Sequence, residues 1–344
     1  MDSILRHDAC QLLQENDLVD LHVDGMIPHR LFGYDLNKEH KRTLTGGRFM
    51  GHLDFPRAIE NGLKAAMWSI TTNPFKSPKS RWRALLKNIE LLSTQVDSSK
   101  GVVGLVSNWA DYEATRNQVR HICLPAIQGG NSLAGAPNGC RDIPGNVITR
   151  VTLIHLTNSL YGITSSPLKG WRGKQGLTEA GRDFVQDLDQ NRIFVDLAHI
   201  NKQGFWDAVE VHDPSLPLLV THTGVEGVAP HWRNLDDAQL RAVADSGGTV
   251  GVIFEKNFLR RPAGPKDGDM ILEHLAHIID TVGEDHASIG SDYDGMISPP
   301  KGLDIVPDYP LLVARMLARK WSSARIAKIV GGNFLRAFKA LRPV

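Results

Sequence analysis

Eight short apolar runs, most of them followed by a helical pattern, constrain this chain more than any other feature. They lie at about 18–23, 63–71, 121–127, 151–155, 193–198, 216–221, 249–254 and 287–291. Helical spacing shows in most of the gaps, as with Leu85, Leu86, Ile89, Leu92 and Val96 along 79–97. Strands that alternate with helices require crossover connections and so form a parallel sheet. Eight such units predict a closed α/β (β/α)8 TIM-type barrel rather than an open doubly wound sheet. No Gly-x-Gly-x-x-Gly follows the first run, which argues against a dinucleotide-binding fold. The reading includes a long loop over 28–54 and two C-terminal helices near 308–318 and 322–341. With no linker or low-complexity stretch, residues 1–344 are expected to form a single barrel domain.

Composition narrows the partners. A net charge of +1 gives no reason to expect nucleic acid or an anionic membrane. The three cysteines, Cys10, Cys123 and Cys140, are sparse and odd in number, which fits a reducing compartment better than a disulfide framework. No apolar stretch is long enough to span a bilayer, and the N-terminus has no signal-peptide core. The C-terminal F-L-R-A-F-K-A-L-R-P-V is basic and amphipathic, unlike a removable lipid-anchor tail. The expectation is a soluble cytoplasmic protein.

The chemistry lies where the apolar runs stop. Leu18 to Asp24 reads L-V-D-L-H-V-D, so His22 and Asp24 are two residues apart and share one face of a strand. Gln128 stands at the tip of the third run, before Gly129 and Gly130. His155, His199, His222 and Asp292 end the fourth, fifth, sixth and eighth runs. In a barrel all of these tips meet at one face. A structural protein gains nothing by gathering costly polar groups there. Imidazole with carboxylate is the ligand set of a borderline divalent ion such as Zn²⁺. By contrast, His29, His40 and His52 lie in the long loop and read as solvated, while Asn234 with Asp237 reads as a helix cap.

Taken together, D-L-H-V-D-G, Q-G-G-N-S-L, T-L-I-H-L-T-N, G-L-T-E-A-G, D-L-A-H, T-H-T, R-N-L-D-D, G-S-D-Y-D-G and G-G-N-F-L-R-A-F resemble the membrane (renal) dipeptidase family of the amidohydrolase superfamily. The motifs run in family order along nearly the whole chain. The resemblance implies a distorted (β/α)8 barrel and a two-metal hydrolase of dipeptides, with a homodimer as assembly. It places His22 and Asp24 on one metal and His199 and His222 on the other. It places His155 and Arg233 on the substrate, Arg233 against its free carboxylate, and Asp292 on proton transfer. One departure stands out: the family's E-G-G-H-S has Gln128 and Asn131 here. The family's Glu bridges both metals, whereas an amide offers one good acceptor and no charge. Gln128 therefore remains a candidate ligand, with one or two zinc ions expected and the second bound more weakly.

Two rival readings follow from that departure. One is a one-metal amidohydrolase acting on another small amide or lactam. The other is a metal- or ligand-binding relative without catalysis.

Overall fold

Each of the eight apolar runs forms a strand in the computed structural model, which describes residues 3–40, 49–167, 175–303 and 309–344. The strands are β1 (Leu18–Val23), β2 (Leu63–Thr71), β3 (Val103–Leu105), β4 (His121–Gln128), β5 (Arg150–Thr152), β6 (Phe194–Asp196), β7 (Leu219–Thr223), β8 (Thr249–Val252) and β9 (Ala287–Ile289). All paired strands are parallel, in the order β1-β2-β4-β5-β6-β7-β8-β9. The unpredicted β3 pairs only with β4, on the outside of this path. It is three residues long and includes Gly104, too short to show a period.

The sheet returns on itself where β9 meets β1. Asp24 donates its backbone N–H to Tyr293 O (2.7 Å) and Asp292 donates to His22 O (3.0 Å). Deeper in the seam a side chain takes over from the ladder. The Asp20 carboxylate accepts from the backbone N–H of His22 and of Ser291, each at 2.9 Å, and from the Tyr309 hydroxyl. These bonds hold a carboxyl that burial pushes up to about 6.

Alternation divides the core in two. Val19, Leu21, Met67, Leu124, Ala126 and Phe194 form one cluster with Phe334, Phe338 and Leu341. The opposite face, including Leu18, Ala66, Trp68, Cys123, Val151 and Val195, packs beneath the surrounding helices. Phe194 opens β6 and lies against Phe334 and Phe338, so the helix Asn333–Leu341 closes the N-terminal end of the barrel. Its apolar face is the amphipathic C-terminus seen in the sequence. That helix is reached through a π-turn, Lys328–Gly332, where a Cβ on Gly331 would come within 2.0 Å of Asp17 O.

Four sequence expectations change. The long-loop segment 28–54 contains most of a helix, Met26–Phe32, while 41–48 lie outside the described residues. An additional helix, Ser3–Glu15, precedes β1. The cap of helix Asp237–Asp245 is Asp236, in a capping box with Gln239. Asn234 instead ties loops together, accepting from Gly224 N and donating to Ala229 O and Phe258 O. Finally, His52 is fully buried, its Nδ1 accepting from Asp294 N at 2.9 Å.

His121 carries a pH-dependent part of the stability. Its Nδ1 donates to Leu63 O (2.7 Å) and its Nε2 accepts from Trp68 Nε1 (3.0 Å). Protonation would set one N–H against another, and burial already lowers the imidazole to about 4. The folded value lies below the unfolded one, so stability is complete above about pH 6.5 and is lost as pH falls towards 4. The expected loss is about 2 kcal/mol between pH 7 and 4.5. Urea unfolding at the two pH values should show a shallower loss for His121→Asn than for wild type. Equal losses would remove His121 from the acid response.

Candidate active site

The fold brings every candidate residue to the C-terminal mouth of the barrel. A register shift in β1 between Asp20 and Val23 lets both Leu21 and His22 face inward, and Asp24 follows His22. Gln128 is the last residue of β4 and His222 lies within β7. The strands before His155, His199 and Asp292 each stop three residues earlier than the tips read from the sequence, at Thr152, Asp196 and Ile289. The chain then turns to aim these side chains. His199 and Asp292 do so with positive φ, 65° and 63°. Such backbone costs on the order of 1 kcal/mol or more per residue and is retained where the surroundings impose it.

The side chains form one buried cluster. His22 Nε2 lies 3.6 Å from Asp24 Oδ1 and 3.5 Å from Asp292 Oδ1. His199 Nε2 is 2.8 Å from His222 Nε2. The His155 ring lies edge-on to His199, with centroids 4.7 Å apart. Oriented to satisfy both ends, the Gln128 amide donates to the two Asp24 oxygens (3.1 and 3.2 Å). Its oxygen accepts from His22 Nε2 (3.2 Å) and His155 Nε2 (3.3 Å). Arg233 is fixed by donating from Nη2 to His222 O (2.8 Å), and its buried Nε has no partner among the described residues.

The electrostatics favour a cation. Burial drives the imidazoles of His22, His199 and His222 well below their ordinary range, and neighbouring positive groups add to this. Burial also lowers His155 to about 4. Neutral imidazole is the form that donates a lone pair to a metal. Burial raises Asp24 and Asp292, and the Asp24 charge raises Asp292 further. Asp292 Oδ1 is buried without a hydrogen-bond partner among the described residues. His22, His222 and Asp292 each present a ligand atom, all within 4.8 Å of one another. Neutral nitrogens beside an unsatisfied buried carboxylate fit a divalent ion of the zinc type.

A second polar layer beneath the site escaped the sequence reading. Arg150 is fully buried. Its Nη1 donates to Thr152 Oγ1 (2.6 Å) and lies 3.4 Å from Asp196 Oδ2; its Nη2 donates to Ser69 Oγ (2.8 Å) and approaches His22 Nδ1 at 3.0 Å. Asp196 accepts from the hydroxyls of Thr152 (2.6 Å) and Thr221 (2.8 Å) and from the backbone N–H of Ala198 and Thr221. The available signal was a charged residue next to or within an apolar strand: T-R-V-T at 149–152 and V-D-L at both 19–21 and 195–197.

Comparison with known proteins agrees with this architecture. A Klebsiella pneumoniae protein, described as an uncharacterized protein in the pqqA 5′ region, is 38% identical over 168 residues. That alignment covers 48% of this chain and 60% of the Klebsiella protein. Dipeptidase ataJ of Aspergillus terreus is 28% identical over 98% of this chain and 87% of its own. Among solved structures, a Rhodobacter sphaeroides metallopeptidase bearing a phosphinate mimic of the dipeptide L-Ala-D-Ala superposes with a TM-score of 0.80 at 24% identity. It covers 95% of this chain and 99% of that one, a likeness that shows the shared barrel fold. The membrane dipeptidase family matches from residue 6 to residue 344. A match of that extent, on a parallel barrel whose mouth gathers buried histidines and carboxylates, makes this chain a member of the membrane dipeptidase family, peptidase family M19.

Proposed function

We propose that this chain hydrolyses the peptide bond of dipeptides bearing a free C-terminal carboxylate, using a divalent ion held among His22, Asp24, Gln128, His199 and His222. The carrying observation is the approach of neutral imidazoles to Asp292, whose Oδ1 has no hydrogen-bond partner among the described residues, in a chain of the M19 family. Zn²⁺ suits this nitrogen and oxygen donor set. When bound, the ion lowers the pKa of the attacking water and polarises the scissile carbonyl.

The chain's own groups supply the rest. Asp292 takes the water's proton and passes it to the leaving amine; burial raises its carboxyl, which suits a group that must hold a proton in transit. His155, with Nε2 directed into the cluster, donates to the developing oxyanion. Arg233 presents Nε, unpaired among the described residues, to the substrate carboxylate, a planar fork matched to a planar anion. Residues 1–344 act as one barrel domain, and a homodimer is the proposed assembly. No helix among the described residues is long and apolar enough to cross a membrane. A cytoplasmic location is the reading that the free Cys10, Cys123 and Cys140 support.

The test joins elemental analysis of dialysed protein to a dipeptide panel scored by amino-acid release. Bound metal with chelator-sensitive hydrolysis is expected. Metal-free protein without hydrolysis would sink the proposal. A second reading, a one-ion hydrolase of another small amide or lactam, is favoured by the neutral Gln128. Turnover of a lactam panel with no dipeptide release would select it.

A further inference from the structure

We propose that Arg150 keeps a metal ion out of the His22 half of the site, so that the protein holds a single ion on the His199 and His222 side. This rests on the metal-dependent reading above and narrows its ligand set: of the five residues named there, His22 no longer contributes a lone pair to the ion. The nitrogen lone pairs that remain free decide where an ion can sit, and hydrogen-bond partners fix which those are.

A metal-binding imidazole needs a lone pair on the nitrogen facing the ion, and its other nitrogen then carries the proton and needs an acceptor. His222 meets this requirement. Thr221 Oγ1 gives its proton to Asp196 (2.8 Å) and so accepts from His222 Nδ1 (2.9 Å). The Nε2 lone pair of His222 is therefore left facing His199. His199 Nδ1 is buried with no partner among the described residues, so that ring is free to place its proton there and open Nε2 as well.

His22 is arranged the other way round. The group 3.0 Å from its Nδ1 is the Arg150 guanidinium, which has only protons to offer. Ser69 Oγ, 3.3 Å from the same nitrogen, accepts from Arg150 and keeps its own proton to turn towards Nδ1. Nδ1 is thus the acceptor, and the proton of neutral His22 sits on Nε2. The surroundings of Nε2 agree: the Gln128 oxygen (3.2 Å), Asp24 Oδ1 (3.6 Å) and Asp292 Oδ1 (3.5 Å) are all acceptors. Arg150 is held in place by Asp196, Thr152, Ser69 and the Ile127 carbonyl, so it cannot swing aside to release Nδ1. Its fixed positive charge beneath His22 also takes the place of the second cation. Arg150 is thereby a positioning residue that acts through His22.

The experiment measures metal per chain after dialysis against Zn²⁺-containing and then metal-free buffer. Wild type should retain one ion. His22→Ala should also retain it, while His222→Ala should lose it. Gln128→Glu should remain at one, and the double variant Gln128→Glu, Arg150→Met should reach two. As a readout independent of loading, ¹⁵N spectra of histidine-labelled apoprotein should show His22, identified by its absence in His22→Ala, as the Nε2–H tautomer. Arg150→Lys, which keeps a cationic donor, should preserve that signature. Loss of the ion in His22→Ala, two ions in wild type or in Gln128→Glu alone, or an Nδ1–H signature for His22 would each overturn the proposal. If the double variant does not fold because Asp196 loses its partner, the His22→Ala count and the tautomer still decide. Protein that binds no metal at all fails the proposed function instead, so the two failures remain distinct.

Discussion

His222→Ala is expected to abolish tight metal binding and dipeptide hydrolysis together while leaving the barrel folded. The imidazole comes from within β7, and its orientation is set by a relay from His222 Nδ1 to Thr221 to Asp196. Alanine removes the ligand without disturbing that relay, because Thr221 keeps its bond to Asp196. Even a partner one layer behind a ligand is worth roughly 10–100-fold in metal affinity, so deleting the ligand should cost more than about 100-fold. His199→Ala should behave alike, since His199 Nε2 is 2.8 Å from His222 Nε2. Thr221→Val keeps the ligand but removes its acceptor, and should give the intermediate loss. Elemental analysis after dialysis, circular dichroism and initial rates on one dipeptide make the comparison. Unchanged metal content in the two alanine variants would move the ion away from this mouth.

Arg233→Met should lose about 2–4 kcal/mol of transition-state binding, roughly 30- to 1000-fold in kcat/KM, for dipeptides with a free carboxylate. The guanidinium is buried, and burial lowers it to about 10, so it stays charged at neutral pH. One nitrogen is spent on the His222 carbonyl and Nε has no partner among the described residues, which gives a donor fixed in direction before substrate arrives. Methionine keeps much of the stem and removes the fork. Amidated dipeptides lack the anion, so they should be poor substrates of wild type and nearly indifferent to the change. Equal losses on both substrate types would show that Arg233 supports the fold of its loop rather than the substrate.

What could be read from the chain and what could not divide along a physical line. Strands with continuous apolar sequence, such as β2 and β4, are visible because a parallel barrel buries both faces. Polar tips are visible for the complementary reason: His22, Gln128 and His222 interrupt runs that burial would otherwise keep apolar. Pairing geometry is less accessible. The β1 register shift depends on contacts with β2, and the closure at Asp20 depends on Ser291 and Tyr309, which come from the far end of the sequence. His52 illustrates the same limit. Its loop has no hydrophobic period, yet contacts with Asp294 bury it completely. Arg150 was missed because a charged residue at the start of an apolar run reads as its solvated boundary. Inside the barrel, that charge is neutralised from the neighbouring strand by Asp196 on β6.

The helix Asn333–Leu341 has a consequence for how the protein is made. Its phenylalanines complete an interior that begins with Val19 of β1, so the first strand and its filling lie at opposite ends of the chain. On the ribosome, all nine strands emerge before the segment that closes their lower opening. A nascent barrel is therefore a tube with an apolar lumen, wet at its base, and it cannot reach its final packing strand by strand. Contacts of such long sequence separation slow folding and lengthen the exposure of apolar surface. Barrel sealing therefore waits for the last element of the fold, and the interval before it is when this protein most needs shelter from its neighbours.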